Sequence, residues 1–226
     1  MSNGFRVLER TRKVTQDQIE RFRALPVANV SDSMNRMSAG GAQLRPMHRE
    51  GVLAGPAITV RCRPGDNLML HYALDISEPG DVIVVDAGGD LTNAVIGEMM
   101  TTYATRKQLG GIVVYGAIRD VRSIREADLP VFALGVTHRG PYKDGPGEIN
   151  TPIALNGMVI EPGDLVLGDD DGLVAIPFAD VEAVYRKAKA KFEAEQVQLQ
   201  AIIAGTQDRR WVTASLEAKH CAIPGK

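Results

Sequence analysis

The sequence predicts an α/β fold, and three observations predict it. Between residues 97 and 136 helical and β-branched segments alternate: a helix over about Gly97 to Lys107, the strand "GIVVYG", a helix over Asp120 to Ala127, and the strand "PVFALG". That is the grammar of βαβ units, in which parallel strands are joined by helical crossovers. Two further segments echo each other, "EPGDVIVVDAGGD" at 78–90 and "EPGDLVLGDDDGL" at 161–173. Each holds a Pro-Gly turn, a short β-branched strand and an acidic, Gly-containing turn. The echo is too short to establish a duplication, and a shared hairpin grammar explains it equally well. Finally, "INTPIAL" and "GMVIEPGDLVLGDDDGLVAIP" supply four short strand candidates and with them a β-rich second layer.

The remaining elements follow in chain order. "TQDQIERFRAL" opens at Thr15 with Gln18 three residues on, a capping-box pattern, and Pro26 ends that helix. A shorter helix is expected to start at Ser31 or Asp32. "GVLAGPAITVRC" alternates through Ile58, Val60 and Cys62, which predicts a strand with one solvated face, and Asp66 is placed to cap the helix "NLMLHYALD". The last long helix runs from about Ala179 to Ala204 with Gly205 as its stop. Its seam is Val181, Tyr185, Ala188, Phe192, Glu195, Leu199 and Ile202, so one seam position is a glutamate. Such a seam suits another subunit as readily as the chain's own sheet. No linker-like stretch divides the chain, and 1–226 reads as one domain.

Composition narrows the function. The 226 residues are 44% hydrophobic and 24% charged, enough for a sizeable core. With 26 basic and 28 acidic residues the net charge is −2 and no basic stripe stands out, so nucleic acid is not an expected partner. Cys62 and Cys221 lack C-x-x-C spacing and read as free thiols in a reducing compartment. "MSNGFRVLERTRK" has no apolar stretch of signal-peptide type, and no run of 18 apolar residues exists, so the expected setting is cytoplasmic, without membrane.

Chemistry concentrates in "IVVYGAIRD", where an apolar strand ends in Arg119 and Asp120. Two explanations stand side by side. Asp120 can cap the helix "VRSIREA" while Arg119 reaches into solvent. Alternatively, ligands of α/β folds sit beyond the carboxyl ends of strands, where Arg suits a carboxylate and Asp suits Mg²⁺ or Mn²⁺. Upstream, "IGEMM" places Gly97 and Glu98 at a helix start, where the amides of Glu98, Met99 and Met100 can face an anion. Glu98 and Arg119 are separated by 20 residues, about one helix plus one strand, so both can return to one sheet edge. Glu98 is equally explicable as an ordinary first-turn acid.

These residues also carry a family likeness. "GEMMTTYATRKQLGGIVVYGAIRD", with "PGDVIVVDAGGD" before it and "PIALNGMVIEPGDLVLGDDDGLVAIP" after it, resembles the RraA-like family, over roughly residues 27 to 205. That family contains 4-hydroxy-4-methyl-2-oxoglutarate/4-carboxy-4-hydroxy-2-oxoadipate aldolase and the regulator of ribonuclease E activity A. The resemblance implies a swivelling α/β/β/α sandwich of phosphohistidine-domain type, assembled as a homotrimer or dimer of trimers with sites between subunits. It implies a divalent metal, Mg²⁺ or Mn²⁺, and pyruvate as product. By position, Arg119 matches the arginine that binds the pyruvyl carboxylate, Asp120 the direct metal ligand, and Glu98 an acid near the metal acting through water. The amides of Gly97 to Met100 match a carboxylate cradle. A glutamate of a neighbouring subunit's C-terminal helix matches Glu195, with Glu193 close by. Ser123 departs from the pattern, since many relatives carry an acid there.

The implied activity is class II aldol cleavage of 4-hydroxy-2-keto acids, together with oxaloacetate decarboxylation. The lysines Lys13, Lys107, Lys143, Lys187, Lys189, Lys191, Lys219 and Lys226 all lie in polar or helical contexts, which argues against a Schiff base and for a metal as electron sink. A water positioned by Glu98 and Glu195 is expected to accept the C4 hydroxyl proton. The alternative is a non-catalytic protein that binds and inhibits ribonuclease E. A methyltransferase has no support, because no G-x-G-x-x-G follows a strand. His48, His71, His138 and His220 share no ligand spacing; "DDD" at 169–171 reads as a tight turn, "KAKAK" at 187–191 as a solvated helix face, and "RGPYKDGPGE" at 139–148 as a flexible loop.

Overall fold

The computed structural model describes residues 4–224, which fall into two compact units divided between Lys189 and Ala190. The strands are β1 (Phe5–Val7), β2 (Arg45–Pro46), β3 (Leu53–Cys62), β4 (Val82–Asp86), β5 (Ala94–Ile96), β6 (Gly111–Ile118), β7 (Val131–Val136), β8 (Gly147–Ile149), β9 (Ile153–Leu155), β10 (Met158–Ile160), β11 (Leu165–Asp169) and β12 (Gly172–Ile176). The helices are α1 (Gln16–Arg23), α2 (Val27–Ser33), α3 (Leu68–Ile76), α4 (Glu98–Arg106), α5 (Val121–Glu126), α6 (Val181–Ile203) and α7 (Arg210–Ala218).

In the first unit the main sheet runs β1-β8-β3-β4-β6-β7-β2, with β3, β4, β6 and β7 mutually parallel. Alternate side chains of these strands feed two cores. Ile58, Val60, Ile83, Val85, Ile112 and Val114 meet Leu70, Ala73, Met100, Ala104 and Ile124 of the helices α3 to α5. Ala57, Val82, Val84, Val113 and Phe132 meet Ile153, Leu155, Met158, Ile160, Val166 and Leu173 of the later strands. Helices α1 and α2 then pack against β3, β11 and β12 from outside. The layers are thus helix, sheet, sheet, helix: the α/β/β/α sandwich.

This layering corrects the expectation of a half-solvated strand at 51–62. The centre of β3 is covered on both sides, and within it Arg61 alone is exposed. The apolar alternation was real, but each face has its own core, as buried parallel sheets require. The helix expected from Ser31 instead begins at Val27, because Pro26 stands at its N-cap and Val27 and Val30 are buried. It stops where Asn35 and Arg36 turn left-handed. At Thr15 both capping-box bonds form, Gln18 N donating to Thr15 Oγ1 at 3.3 Å and Thr15 N to Gln18 Oε1 at 2.9 Å.

The echoed segments fold as one turn made twice. Asp81 N donates to Glu78 O and Asp164 N to Glu161 O, both at 3.1 Å, while Gly80 and Gly163 take φ of +84° and +87°. Pro followed by a positive-φ Gly is the type II pattern. In each turn the aspartate reaches back to the Glu amide, at 2.8 and 2.9 Å. Residues 10–13 strap the two turns together. Arg10 grips Asp81 with two bonds of 2.7 and 3.0 Å, Lys13 pairs with Glu78, Arg12 pairs with Glu161, and Val14 N donates to Gly163 O at 3.3 Å.

Helix α6 starts in the first unit, where Val181, Val184 and Ala188 are buried and the Tyr185 ring stands 5.5 Å from Phe22. The expected seam therefore holds only in part, with Val184 joining it. In the second unit Leu199 and Ile202 are exposed, Gly205 at φ +68° ends the helix, and α7 follows, unanticipated by the sequence reading. No helix among the described residues is long and apolar enough to cross a membrane.

Removing Arg10 leaves a fully buried Asp81 carboxylate, 0% exposed, without its cation. Arg10→Ala is expected to destabilise the chain by about 3 kcal/mol, read as a lower urea midpoint.

Candidate active site

The fold answers why 20 residues stand between Glu98 and Arg119. Strand β5 pairs with the end of β6 through Ile96↔Ile118, so the residues that follow each strand leave the sheet together. Arg119 N donates to Ile96 O at 3.0 Å, seating Arg119 beside Gly97. Here the sheet delivers its charged side chains at carboxyl ends of strands, the general ligand position of open α/β sheets.

Asp120 occupies the N-cap of α5 but its side chain does not cap that helix. Its carboxylate instead crosses to α4, where Oδ2 accepts from Glu98 N at 3.0 Å. The backbone at Asp120 is left-handed, φ +58°, a conformation that Asp and Asn tolerate better than most residues. Arg119 Nε lies 3.7 Å from the same oxygen, and the two side chains stay 43% and 40% exposed. A charge pair this open gains little stability from its Coulomb attraction. Gly97 makes the crossing possible, since a Cβ there would fall 2.3 Å from Asp120 Oδ2 and 2.9 Å from Arg119 Cγ.

These groups face a cavity of about 210 Å³. It is lined by Gly97, Met99 and Met100 at the start of α4, by Arg119 and Asp120, by Asn67 and His71 of α3, and by Pro141 and Lys143 of the loop after β7. A wider cleft of about 350 Å³ borders Arg61 and Glu148, but there the buried acid Glu148 is already paired with Arg6 at 2.8 Å.

The expected amide cradle is only partly available. The Glu98 amide serves Asp120, and Met100 N donates to Gly97 O at 3.1 Å. Of the three, the Met99 amide makes no hydrogen bond among the described residues, as befits a donor in the first turn of a helix. Glu98 itself is exposed, and Ser123 sits half-buried on α5. Glu195 belongs to the second unit, where it is exposed and pairs with Lys191 at 2.9 Å; Glu193 is likewise exposed. Lys226 lies outside the described residues.

The loop read as flexible is instead pinned. Asp66, fully buried, caps Leu68 N at 3.0 Å with one oxygen and accepts from Asp144 N and Gly145 N at 2.7 and 2.9 Å with the other. Tyr142 N donates to Gly65 O, Asn67 N to Tyr142 O, and Ala94 N to Arg139 O, at 2.8 to 3.0 Å. Gly140 passes so close that a Cβ would stand 3.0 Å from Arg119 Nη1. This brings Lys143 to the cavity, which the survey of lysines did not anticipate. Its side chain is exposed, without the apolar enclosure that activates a Schiff-base lysine. His71 was also missed, for a reason of scale: its neighbours in the cavity lie on segments far away in sequence. The one signal was its place a turn beyond Asn67.

Among the described residues no group of three or more His, Cys, Asp or Glu is arranged to hold a metal ion. One exposed carboxylate, oriented by an amide and backed by a cradle that only glycine fits, still matches Mg²⁺. That ion keeps several waters and is bound through one or two carboxylates plus substrate oxygens. Cys62, by contrast, is buried, and burial pushes its thiol up to about 12, too high for a ready nucleophile or ligand.

Comparison with known proteins adds the lineage. A relative from Halalkalibacterium halodurans is 39% identical over 186 residues, covering 82% of this chain and 89% of its own; it carries the provisional name 4-hydroxy-4-methyl-2-oxoglutarate aldolase. The solved RNA-processing inhibitor RraA from Thermus thermophilis aligns with a TM-score of 0.63 and 31% identity, over 67% of this chain and 92% of that one. Streptomyces coelicolor RraAS2, of the RNase ES inhibitor RraA protein family, aligns with a TM-score of 0.74 and 28% identity, over 84% and 97%. The family model for RraA-like proteins, described as Aldolase/RraA, matches residues 27–175. With sandwich, strand-end Arg-Asp pair and this match in agreement, the chain belongs to the RraA-like family.

Proposed function

We propose that this chain is a divalent-cation-dependent pyruvate aldolase that cleaves 4-hydroxy-2-keto acids, of which 4-hydroxy-4-methyl-2-oxoglutarate is an example, and decarboxylates oxaloacetate at the same site. The observation that carries the reading is the Asp120 carboxylate, turned away from its own helix onto the Glu98 amide beside an open cavity and an available Arg119. It takes up the first amide of α4 rather than those of α5, and it stays 40% exposed at the cavity.

In this reading Asp120 holds Mg²⁺ or Mn²⁺, with Glu98 nearby. The cation supplies Lewis-acid polarisation of a keto oxygen. Arg119 grips the substrate carboxylate and offsets charge as an enolate develops, while the open Met99 amide adds a donor. Glu98 orders water at the mouth. Glu195 is proposed to enter the site of a neighbouring copy in a trimer or dimer of trimers. The kinship with RNase inhibitors of the RraA kind favours a second reading, a ribonuclease-binding regulator; a pull-down of ribonuclease E by a chain that turns over no keto acid would establish it in place of the first.

Purified protein with Mg²⁺ is to be assayed against oxaloacetate and a panel of 4-hydroxy-2-keto acids, following pyruvate. Arg119→Ala is expected to lower turnover about 100-fold, as loss of an oriented donor to developing charge does. Circular dichroism should remain that of the native chain. Asp120→Asn keeps a residue tolerant of left-handed φ and an oxygen for Glu98 N, yet removes the charge; it is expected to abolish stimulation by Mg²⁺. Gly97→Ala should displace both side chains and cost about 100-fold in turnover, with the Glu98 amide resonance moving as its acceptor is pushed away.

A further inference from the structure

We propose that the cleft between the end of β3 and β8 is a binding site for a small dicarboxylate, held by Arg61 and Arg63 and separate from the cavity of Arg119 and Asp120. The two cavities share no lining residue. The site stands independently of the aldolase reading.

A row of polar side chains crosses the sheet at this level. Register pairs Arg6 with Glu148, Glu148 with Arg61, Arg61 with Asp86, and Asp86 with Tyr115, so five strands carry one rung. Residues paired in this way project from the same face of a sheet, here the face whose core holds Val84 and Val113. Alternating charges would close on themselves if each cation took a neighbouring acid. They do not. Glu148 is buried, lies 2.8 Å from Arg6 Nε and accepts from Gly4 N at 3.1 Å. Asp86 turns Oδ1 back to Gly88 N at 2.9 Å. Arg61, between the two acids, is exposed and forms no hydrogen bond or ion pair among the described residues.

A second guanidinium joins it. Arg63 lines the same cleft and is 48% exposed, with Nη2 3.6 Å from Asp66 Oδ2. Both Asp66 oxygens already accept backbone amides, at 2.7 to 3.0 Å, so that contact is long and the Arg63 fork stays open. Arg63 N donates to Pro146 O at 3.3 Å, which carries the pairing of β3 past Cys62. At the rise of an extended chain the two arginines then stand about 7 Å apart along the backbone.

The chemistry of the ligand follows from the lining. The cleft holds about 350 Å³, the scale of a small-molecule site. Each guanidinium offers donors in a fork matched to a carboxylate, and two forks suit two acid groups on one molecule. A metal ion or an amine is disfavoured, because the acid that lines the cleft, Glu148, already has its cation. The position is also the usual one for ligands, at the carboxyl ends of β3 and β4.

Binding is to be read by two-dimensional NMR of the full chain titrated with succinate, with acetate and inorganic phosphate as comparison probes. Succinate is expected to move the amide resonances of Arg61, Arg63 and Gly147 saturably. Acetate, with one acid group, should bind about tenfold more weakly, and Arg61→Ala or Arg63→Ala should each weaken succinate by about the same factor. Both side chains are exposed, so circular dichroism should stay that of the native chain. Arg119→Ala should leave the titration unchanged, as for independent sites. Shifts confined to Glu98, Met99 and Met100, loss of binding in Arg119→Ala, or saturation indifferent to both cleft substitutions would each overturn the proposal. Phosphate binding more tightly than succinate would overturn the dicarboxylate class, and a titration without saturable shifts would remove the site. None of these readings requires turnover, so a chain that cleaves no keto acid would refute the aldolase reading and leave this test in force.

Discussion

The site depends on a short-range constraint: the pairing of β5 with the end of β6 at Ile96 and Ile118. Everything chemical follows from it. Because the strands are in register there, Gly97 and Arg119 emerge side by side, and the next residue, Asp120, can bridge to the Glu98 amide. The bridge closes one helix with the carboxylate of another. A one-residue slip of β5 would turn Gly97 onto the other face and fill the cradle with a side chain. Three residues of strand therefore position groups far separated along the chain.

That dependence explains what could be read from the sequence. The helix and strand at 97–118 were legible because helical and β-branched periods alternate cleanly there, and the spacing from Glu98 to Arg119 was interpretable as one crossover. Thr15 announced its capping box directly. The twin EPGD turns were visible as text and proved to be one structure made twice, Pro at one corner and a positive-φ Gly at the next.

The rest was not local. Strand β5 is three residues long, too short to show a period, and it owes its existence to β6. The double burial of β3 could not be told from alternation alone, since its second core is built by strands a hundred residues downstream. Asp120 carried a helix-cap signature that the fold redirects to a different helix. The 139–148 loop looked mobile because its composition is rich in Gly and Pro; it is pinned by Asp66, whose local signal announced only the helix cap made by its other oxygen. Helix α7 lacks a capping side chain at Arg209, its N-cap, though Asp208 supports the Arg210 amide at 2.9 Å.

The strap of residues 10–13 has a bearing on biogenesis. Its grip on Asp81 spans 71 residues and its pairing with Glu161 spans 149. Contacts of such separation are slow to close and raise the topological cost of folding. During translation Arg10 can meet Asp81 well before Glu161 has been made to receive Arg12. Only with Glu161 made does the second turn exist, so the strap is completed after both of the turns it ties.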